Sequence, residues 1–309
     1  MLKAGLFNGG AQVSSASSAN LDLNHKTFNN STHPLVAWYD FTDVATIDRD
    51  QVGTAIGQTG HPIGRIRNKS NPQPGATYKI GIHLNQTTSG SKPAWTSDGT
   101  IAGSYAKFDG TDDHLEANDG VGNVDTNKLT DTKLNANNMT VFWVCKPDVA
   151  TLSSSETVFV IVDGGKDIVS AYVENTDNQW NANASDAAAR SNTIIDTGVA
   201  STTATQTWLL ELNCDVSGGT SDMLKNGLVV GEKDGNGDAM ELDLTVNHAA
   251  VQFIIGCSVP TSDSGAQKEK FWDGGISEVI IFDGLLSADT RANVVNYLLT
   301  KYNIPVLTS

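Results

Sequence analysis

The stretch "GGISEVIIFDGLLSADTRANVVNYLLTKYNI", residues 274–304, decides the fold. Its first half is a glycine-flanked apolar run that reads as a strand. Its second half reads as a helix: Ser287 is a good N-cap and Asp289 falls in the first turn, where the helix dipole favours a carboxylate. Arg291, Val294, Val295, Leu298 and Tyr302 then recur at helical spacing until Asn303 and Pro305 end the element. The apolar stripe of this lone helix is expected to pack on the edge or rim of whatever precedes it.

What precedes it reads as β throughout. From "PLVAWYDF" at residue 34 onward, short apolar runs alternate with clusters of Gly, Asn, Asp, Ser and Thr, at intervals suited to a sandwich rather than to βαβ units. "MTVFWVCKP", "ETVFVIVDGG", "DIVSAYVEN" and "AAVQFIIGCSV" supply strands. In "TWLLELNCDV", Trp208, Leu210, Leu212, Cys214 and Val216 share one face, while Leu209, Glu211, Asn213 and Asp215 share the other. That is period-two patterning, the mark of a half-buried strand with a solvent-facing polar side. Turns are expected at Gly218-Gly219 and at Asn226-Gly227, the latter a dipeptide suited to a two-residue hairpin.

The bulk numbers set limits. A chain of 309 residues buries roughly three quarters of its unfolded surface and needs no cross-link for stability. Its formal charge of −15 repels phosphate backbones, so nucleic acid is not an expected partner. Residues 51–97 contain no acidic side chain yet carry Arg65, Arg67, Lys69, Lys79 and Lys92. This stretch reads as a solvated loop face, the alternative being a surface that docks on an acidic neighbour such as another copy. Cys145, Cys214 and Cys257 are odd in number, far apart and set in apolar runs, so they are expected as free buried thiols. No run approaches the roughly 20 apolar residues of a membrane span, and the first residues show no apolar leader core, which predicts folding in a cytoplasm without secretion and without a membrane partner.

Residues 1–34 are rich in Ser, Asn, Ala and Gly with too few apolar residues for a core. They are expected to form an extended arm that tethers the chain in an assembly, with residues 35–309 as the sandwich domain.

Four pieces in order, "KPAW" at 92–95, "YAKFDGTDDHLEA" at 105–117, "MTVFWVCKPD" at 139–148 and "FWDGGISEVIIFDGLLSADTRANVVNYLLTKYNI" at 271–304, resemble the laminin-G-like branch of the concanavalin A-like lectin/glucanase superfamily. The resemblance implies an all-β, two-sheet antiparallel jelly roll of about a dozen strands with a final strand and helix. Domains of this kind occur in phage capsid decoration, fibre and tail proteins, in bacterial surface proteins and beside glycan-active enzymes.

Glycan hydrolysis needs two carboxyls flanking the scissile bond. In laminarinase-like relatives these come from an alternating Glu, Asp, Glu strand, and the nearest match here is Glu211, Asn213, Asp215. Asn213 replaces the central carboxylate and Asp215 is a methylene shorter than the expected acid, so an ordinary solvent-facing strand is the preferred reading and Glu211 with Asp215 the alternative catalytic pair. "FDGTDDHLE" gathers Asp109, Asp112, Asp113, His114 and Glu116, an oxygen-rich set that could suit Ca²⁺. Asp and Gly are also what a strand-to-strand turn requires, and the turn is preferred, with no cofactor expected. "DGNGDAMELDLT", from Asp234, departs from a calcium loop at Ala239 and Thr245 and reads as a hairpin tip. Sugar binding needs an aromatic platform beside planar hydrogen-bonding groups. "ENTDNQWNANASD" places Trp180 among Glu174, Asp177, Asn178 and Asn181 in a polar loop, so Trp180, Asp177, Asn178 and Asn181 are the candidate binding residues. Trp272 is expected in the core.

The expectation that follows is a non-enzymatic bacteriophage virion surface protein, a capsid decoration or fibre component. Its arm, residues 1–34, would contact other virion proteins and copies of itself, with weak adhesion to host glycan as a further role. The alternatives are a tail-associated glycoside hydrolase or lyase and a bacterial surface adhesion module.

Overall fold

A computed structural model gives the architecture; it describes residues 35–50, 52–70, 83–116, 138–148, 152–163, 166–175, 179–184, 193–195, 206–215, 220–233, 252–259 and 268–307. The arm expected over residues 1–34, the turn at Gly218-Gly219 and the hairpin tip from Asp234 lie outside the described residues.

Two antiparallel sheets stack face to face. The first runs β15 (Leu228–Lys233), β14 (Thr220–Lys225), β13 (Trp208–Asp215), β8 (Asn138–Pro147), β17 (Asp273–Asp283), β6 (Tyr105–Asp109), β5 (Ala94–Thr96), with β1 (Leu35–Asp40) also paired to β17. The second runs β12 (Thr193–Ile195), β11 (Trp180–Ala184), β10 (Lys166–Val173), β9 (Glu156–Asp163), β16 (Gln252–Ile255), β7 (Leu115–Glu116), β4 (Leu84–Asn85), β3 (Arg65–Ile66), β2 (Ile47–Asp48). This is the all-β, jelly-roll-like sandwich that the sequence predicts, with α1 (Ala288–Lys301) as the single α-helix among the described residues.

The long central strands β8 and β17 pair from Gly274↔Pro147 to Asp283↔Met139 and carry the main core on their inner faces. Val141, Trp143, Cys145, Val279 and Ile281 meet Phe159, Ile161, Phe253 and Ile255 of the second sheet, with Trp143 edge-on to Phe159 at 5.2 Å between ring centroids. β13 pairs with β8 from Trp208↔Cys145 to Asp215↔Asn138, so Trp208, Leu210, Leu212 and Cys214 enter the same core by the period-two rule. Cys145, Cys214 and Cys257 are free and buried, as expected.

α1 does not sit on a rim. Ser287 caps it by accepting from the Thr290 N–H, and its buried Val294, Val295, Leu298 and Leu299 lie across the outer face of the first sheet. There they meet Leu35 and Trp38 of β1, Phe142 and Val144 of β8, Leu209 of β13, and Ile280 and Phe282 of β17. The reason is visible in those strands: both faces of β8 and β17 are apolar, so the outer side needs a cover. Each of these side chains contributes about 1.5–3 kcal/mol when taken out of water.

The β14–β15 hairpin turns at Asn226-Gly227, with φ of 48° and 86°, the left-handed pair that a two-residue type I′ turn needs. Asn226 then serves a second purpose: its Oδ1 accepts from the Leu209 N–H at 3.0 Å and its Nδ2 donates to the Pro305 carbonyl at 3.1 Å, pinning the hairpin tip to the chain beyond α1. The free edge of β5 is taken by residues 60–63, through Trp95 N–H to the His61 carbonyl and Ile63 N–H to the Pro93 carbonyl, both 2.8 Å. An edge paired in this way offers no template to another strand.

Candidate functional site

The outer face of β13, read from sequence as solvent-facing, is covered. Glu211 is 1% exposed beneath α1, where Arg291 donates to both of its oxygens, Nη2 to Oε2 at 2.9 Å and Nε to Oε1. Asn213 Nδ2 adds a bond to Oε1 at 2.9 Å. Burial raises the carboxyl of Glu211 above its ordinary range, and Arg291 and Asn213 oppose that rise. A second polar seam holds the far end of the helix. Glu278 accepts from Trp38 Nε1 at 2.6 Å, from Tyr302 Oη at 2.6 Å and from Lys301 Nζ at 2.7 Å, while Lys301 also reaches Asp40 at 3.0 Å. Burial pushes Glu278 up, and the Asp40 charge adds to it. For Asp40 burial acts upward too, but Lys301 and Lys69 outweigh it and hold this carboxyl below the usual range. Both seams fasten the helix to the sheet.

A charged corner forms where β6 and β8 finish and β9 and β17 begin. Lys107 donates to Asp273 at 2.9 Å and pairs with Asp148, while Glu156 Oε2 accepts the Asp273 N–H at 2.9 Å. Burial, with the Asp273 and Asp148 charges added, pushes the Glu156 carboxyl up to about 7. The adjoining turn behaves alike: Asp113 Oδ2 accepts the Asp109 N–H at 3.1 Å, and burial together with Asp109 and Asp112 raises Asp113 to about 7. Asp109 Oδ1 accepts from the Thr111 and Asp112 N–H groups, and Asp112 Oδ2 from Ser91 Oγ at 2.9 Å. These bonds are those of the turn read from sequence. One ligand oxygen from each of Asp109, Asp112 and Asp113 lies within 4.8 Å of the others, so the trio could supply three of the six to eight oxygens that Ca²⁺ takes.

Beside that turn lies a half-buried polar surface. His114 Nδ1 donates to the Asp112 carbonyl at 2.9 Å, since a carbonyl only accepts; this leaves Nε2 to accept from Gln86 Nε2, also at 2.9 Å. Burial lowers the His114 pKa, so the ring is neutral at pH 7 in one tautomer. Phe271 lies 6.4 Å from the imidazole centroid, and Lys268 pairs with Glu116 at 2.8 Å. An aromatic face next to planar hydrogen-bonding groups can meet the apolar face and the hydroxyl rim of a sugar.

The structure moves Trp180 out of the role the sequence suggests. It opens β11 and is fully buried, its ring 5.9 Å from that of Trp272 in the inter-sheet core. Asn181, the next residue of β11, falls on the opposite face by the period-two rule, and the polar sequence around Trp180 makes a core tryptophan look like a loop platform. Asn181 is likewise buried, its Nδ2 donating to the Gln179 carbonyl at 3.0 Å. Asp177 and Asn178 lie outside the described residues. Trp272 is in the core, as expected. Asp215 ends β13 opposite Asn138. The acid-free stretch is corrected too: Arg65 and Arg67 both pair with Asp48, and Lys69 with Asp40 and Asp43, so these cations are part of the chain's own ion pairs. Sequence reasoning missed the Lys107 corner and the Gln86–His114 pair, whose members come from segments separated along the chain and leave no local signal.

No protein-family model matches the chain, and no curated protein matches it. Solved structures similar to it include a heptameric SAP-like pentraxin from Limulus polyphemus, 19% identical over 52% of this chain and 70% of that one, TM-score 0.40. The Ruminococcus gnavus IT-sialidase CBM40 is 14% identical over 54% of this chain and 87% of that one, TM-score 0.42. A Trypanosoma rangeli sialidase in complex with sialic acid is 10% identical over 87% of this chain, TM-score 0.49, and the match spans only 33% of that longer chain.

Proposed function

We propose that this chain is a non-catalytic sandwich displayed on a bacteriophage particle, as capsid decoration or fibre component. Residues 1–34 fasten it to other particle proteins and to copies of itself, and weak adhesion to a host glycan is its outward contact. The observation that carries the non-catalytic half is the state of Glu211. A glycan hydrolase needs two carboxyls facing substrate, whereas this one is 1% exposed under α1 with both oxygens on Arg291. The display half is supported by the sequence resemblance, by the tether-like composition of residues 1–34 and by three buried free thiols, which suit assembly without cross-linking. The half-buried surface that brings Phe271 to 6.4 Å from the His114 ring, in a stretch that also holds the Lys268–Glu116 pair, supports the adhesive half.

The test uses purified full-length chain and host surface polysaccharide. Weak binding without reducing-sugar release is expected, and Phe271→Ala is expected to lose the binding while keeping the β-rich circular dichroism of the parent. Sugar release that vanishes in Glu211→Gln would establish the hydrolase instead. For attachment, deletion of residues 1–34 is expected to leave a chain that no longer joins particles; unchanged incorporation counts against the tether.

A further inference from the structure

α1 covers only part of the outer face of the first sheet. Its apolar stripe rests on Phe142 and Val144 of β8 and on Ile280 and Phe282 of β17, and the same face runs on beyond these residues to Lys146 and Gly275. There a row crosses three strands, Lys107 of β6 standing opposite Gly275 of β17, and Gly275 opposite Lys146 of β8. Tyr105, two residues before Lys107 and opposite Thr96 of β5, leans over the glycine: a Cβ at Gly275 would lie 2.6 Å from Cδ2 of its ring. A glycine inside a strand weakens it, and here its bare backbone lets an aromatic ring lie against the sheet. The tyrosine is half-buried, with Lys146 Nζ 5.6 Å from the ring centroid.

The polar head groups around this ring are unused. Among the described residues the Tyr105 and Thr96 hydroxyls and the Lys146 ammonium have no hydrogen-bond partner. Burial raises the Tyr105 hydroxyl above its ordinary range, with the Asp148 and Asp98 charges adding to it, so it stays a donor at pH 7. Lys107 pairs with both Asp148 and Asp273, Asp109 stands opposite Asp273, and Asp98 lies close enough to feel Lys146. Lys107 and Lys146 are thus outnumbered by Asp98, Asp109, Asp148 and Asp273, and a carboxylated or sulfated sugar is repelled. An aromatic face ringed by hydrogen-bonding groups, without a positive field, suits the apolar face and hydroxyl rim of an uncharged sugar. We propose that Tyr105 is the platform for one neutral pyranose of a glycan, which stacks on the ring while Tyr105 Oη, Thr96 Oγ1 and Lys146 Nζ bond its hydroxyls. The inference takes its ligand class from the adhesive reading but not its place, because Phe271 packs with Val160 and Ile254 of the second sheet.

Saturation-transfer NMR on the full-length chain, titrated with lactose, maltose and cellobiose and with sialyllactose as the carboxylated counterpart of lactose, reads the outcome. At least one of the three neutral disaccharides is expected to bind, and sialyllactose to bind no more tightly than lactose. Tyr105→Ala is expected to abolish the signal. Tyr105→Phe keeps the ring and loses one hydrogen bond, so binding is expected to weaken about two- to tenfold. The double variant Thr96→Val, Lys146→Met leaves the platform in place and is expected to weaken binding about tenfold, which keeps the test open if Tyr105→Ala folds poorly by circular dichroism. A parent that binds none of the three neutral disaccharides, parental affinity in Tyr105→Ala or in the double variant, or a clear preference for sialyllactose would each overturn the proposal. A parent that holds host polysaccharide through Phe271 yet gives no signal with the disaccharides overturns this site and leaves the adhesive reading standing. Disaccharide binding lost in Tyr105→Ala, beside polysaccharide retention that Phe271→Ala does not change, upholds this site and removes the other.

Discussion

Arg291 and Glu211 are 80 residues apart in sequence, yet the guanidinium of one lies on the carboxylate of the other, Nη2 2.9 Å from Oε2, and joins α1 to β13. The pair is lopsided, because Arg291 keeps 29% of its side chain exposed while Glu211 keeps 2%. Removing the arginine strands a buried carboxylate, whereas removing the acid leaves a cation that can turn to water. Arg291→Met is therefore expected to cost about 3–5 kcal/mol at pH 7, and Glu211→Gln about 1.5–3 kcal/mol. Urea unfolding of the two variants side by side checks the order.

Lys301 holds two buried acids at once, Glu278 at 2.7 Å and Asp40 at 3.0 Å. Lys301→Met is expected to destabilise by at least about 3 kcal/mol and to loosen the end of α1 before the sheets. Amide exchange should then quicken in residues 294–302 with little change in β8, a contrast that uniform quickening would refute.

The charged corner and the adjoining turn predict a pH dependence with a definite sign. Asp113 and Glu156 are raised to about 7, against unfolded values of about 3.9 and 4.3. Between those limits the folded chain holds more protons than the unfolded one, so their contribution is complete below about pH 4 and is lost as pH rises through about 7. Asp113→Asn and Glu156→Gln should each flatten the fall in stability over that interval. An unchanged slope in denaturation midpoints between pH 4 and 7 would show that these carboxyls titrate normally.

Trp180 separates core from contact. Its indole Nε1 is buried without an acceptor among the described residues, so Trp180→Phe forfeits no hydrogen bond and should cost little. Trp180→Ala should cost about 3–5 kcal/mol through the cavity left against Trp272. Glycan retention by the phenylalanine variant is expected to match the parent; a selective loss would return Trp180 to the binding surface.

Much of the frame was legible because its rules are local. The N-cap at Ser287, the hairpin at Asn226-Gly227 and the inward set Trp208, Leu210, Leu212 and Cys214 all follow from spacing over a few residues. The same local rule misplaced Glu211 and Trp180. Period two states which residues share a face, and it is silent on what lies over that face. By its own strand Glu211 faces solvent, because Arg291 comes from another element. Trp180 reads as a loop platform because its sequence neighbours are polar, yet its ring packs against Trp272 in the inter-sheet core.

Sequence alone determined the class of architecture, the end helix, the free thiols and the overall acidity, since propensity, periodicity and charge are properties of short stretches or of simple sums. Only the tertiary structure decided that α1 covers a sheet face, that Asp48 gathers Arg65 and Arg67, and that Lys107, Asp148, Asp273 and Glu156 share one corner. Those relationships arise when antiparallel strands bring distant residues into register. Burial then sets the strength and proton affinity of each charge, and neither register nor burial is carried by any one segment.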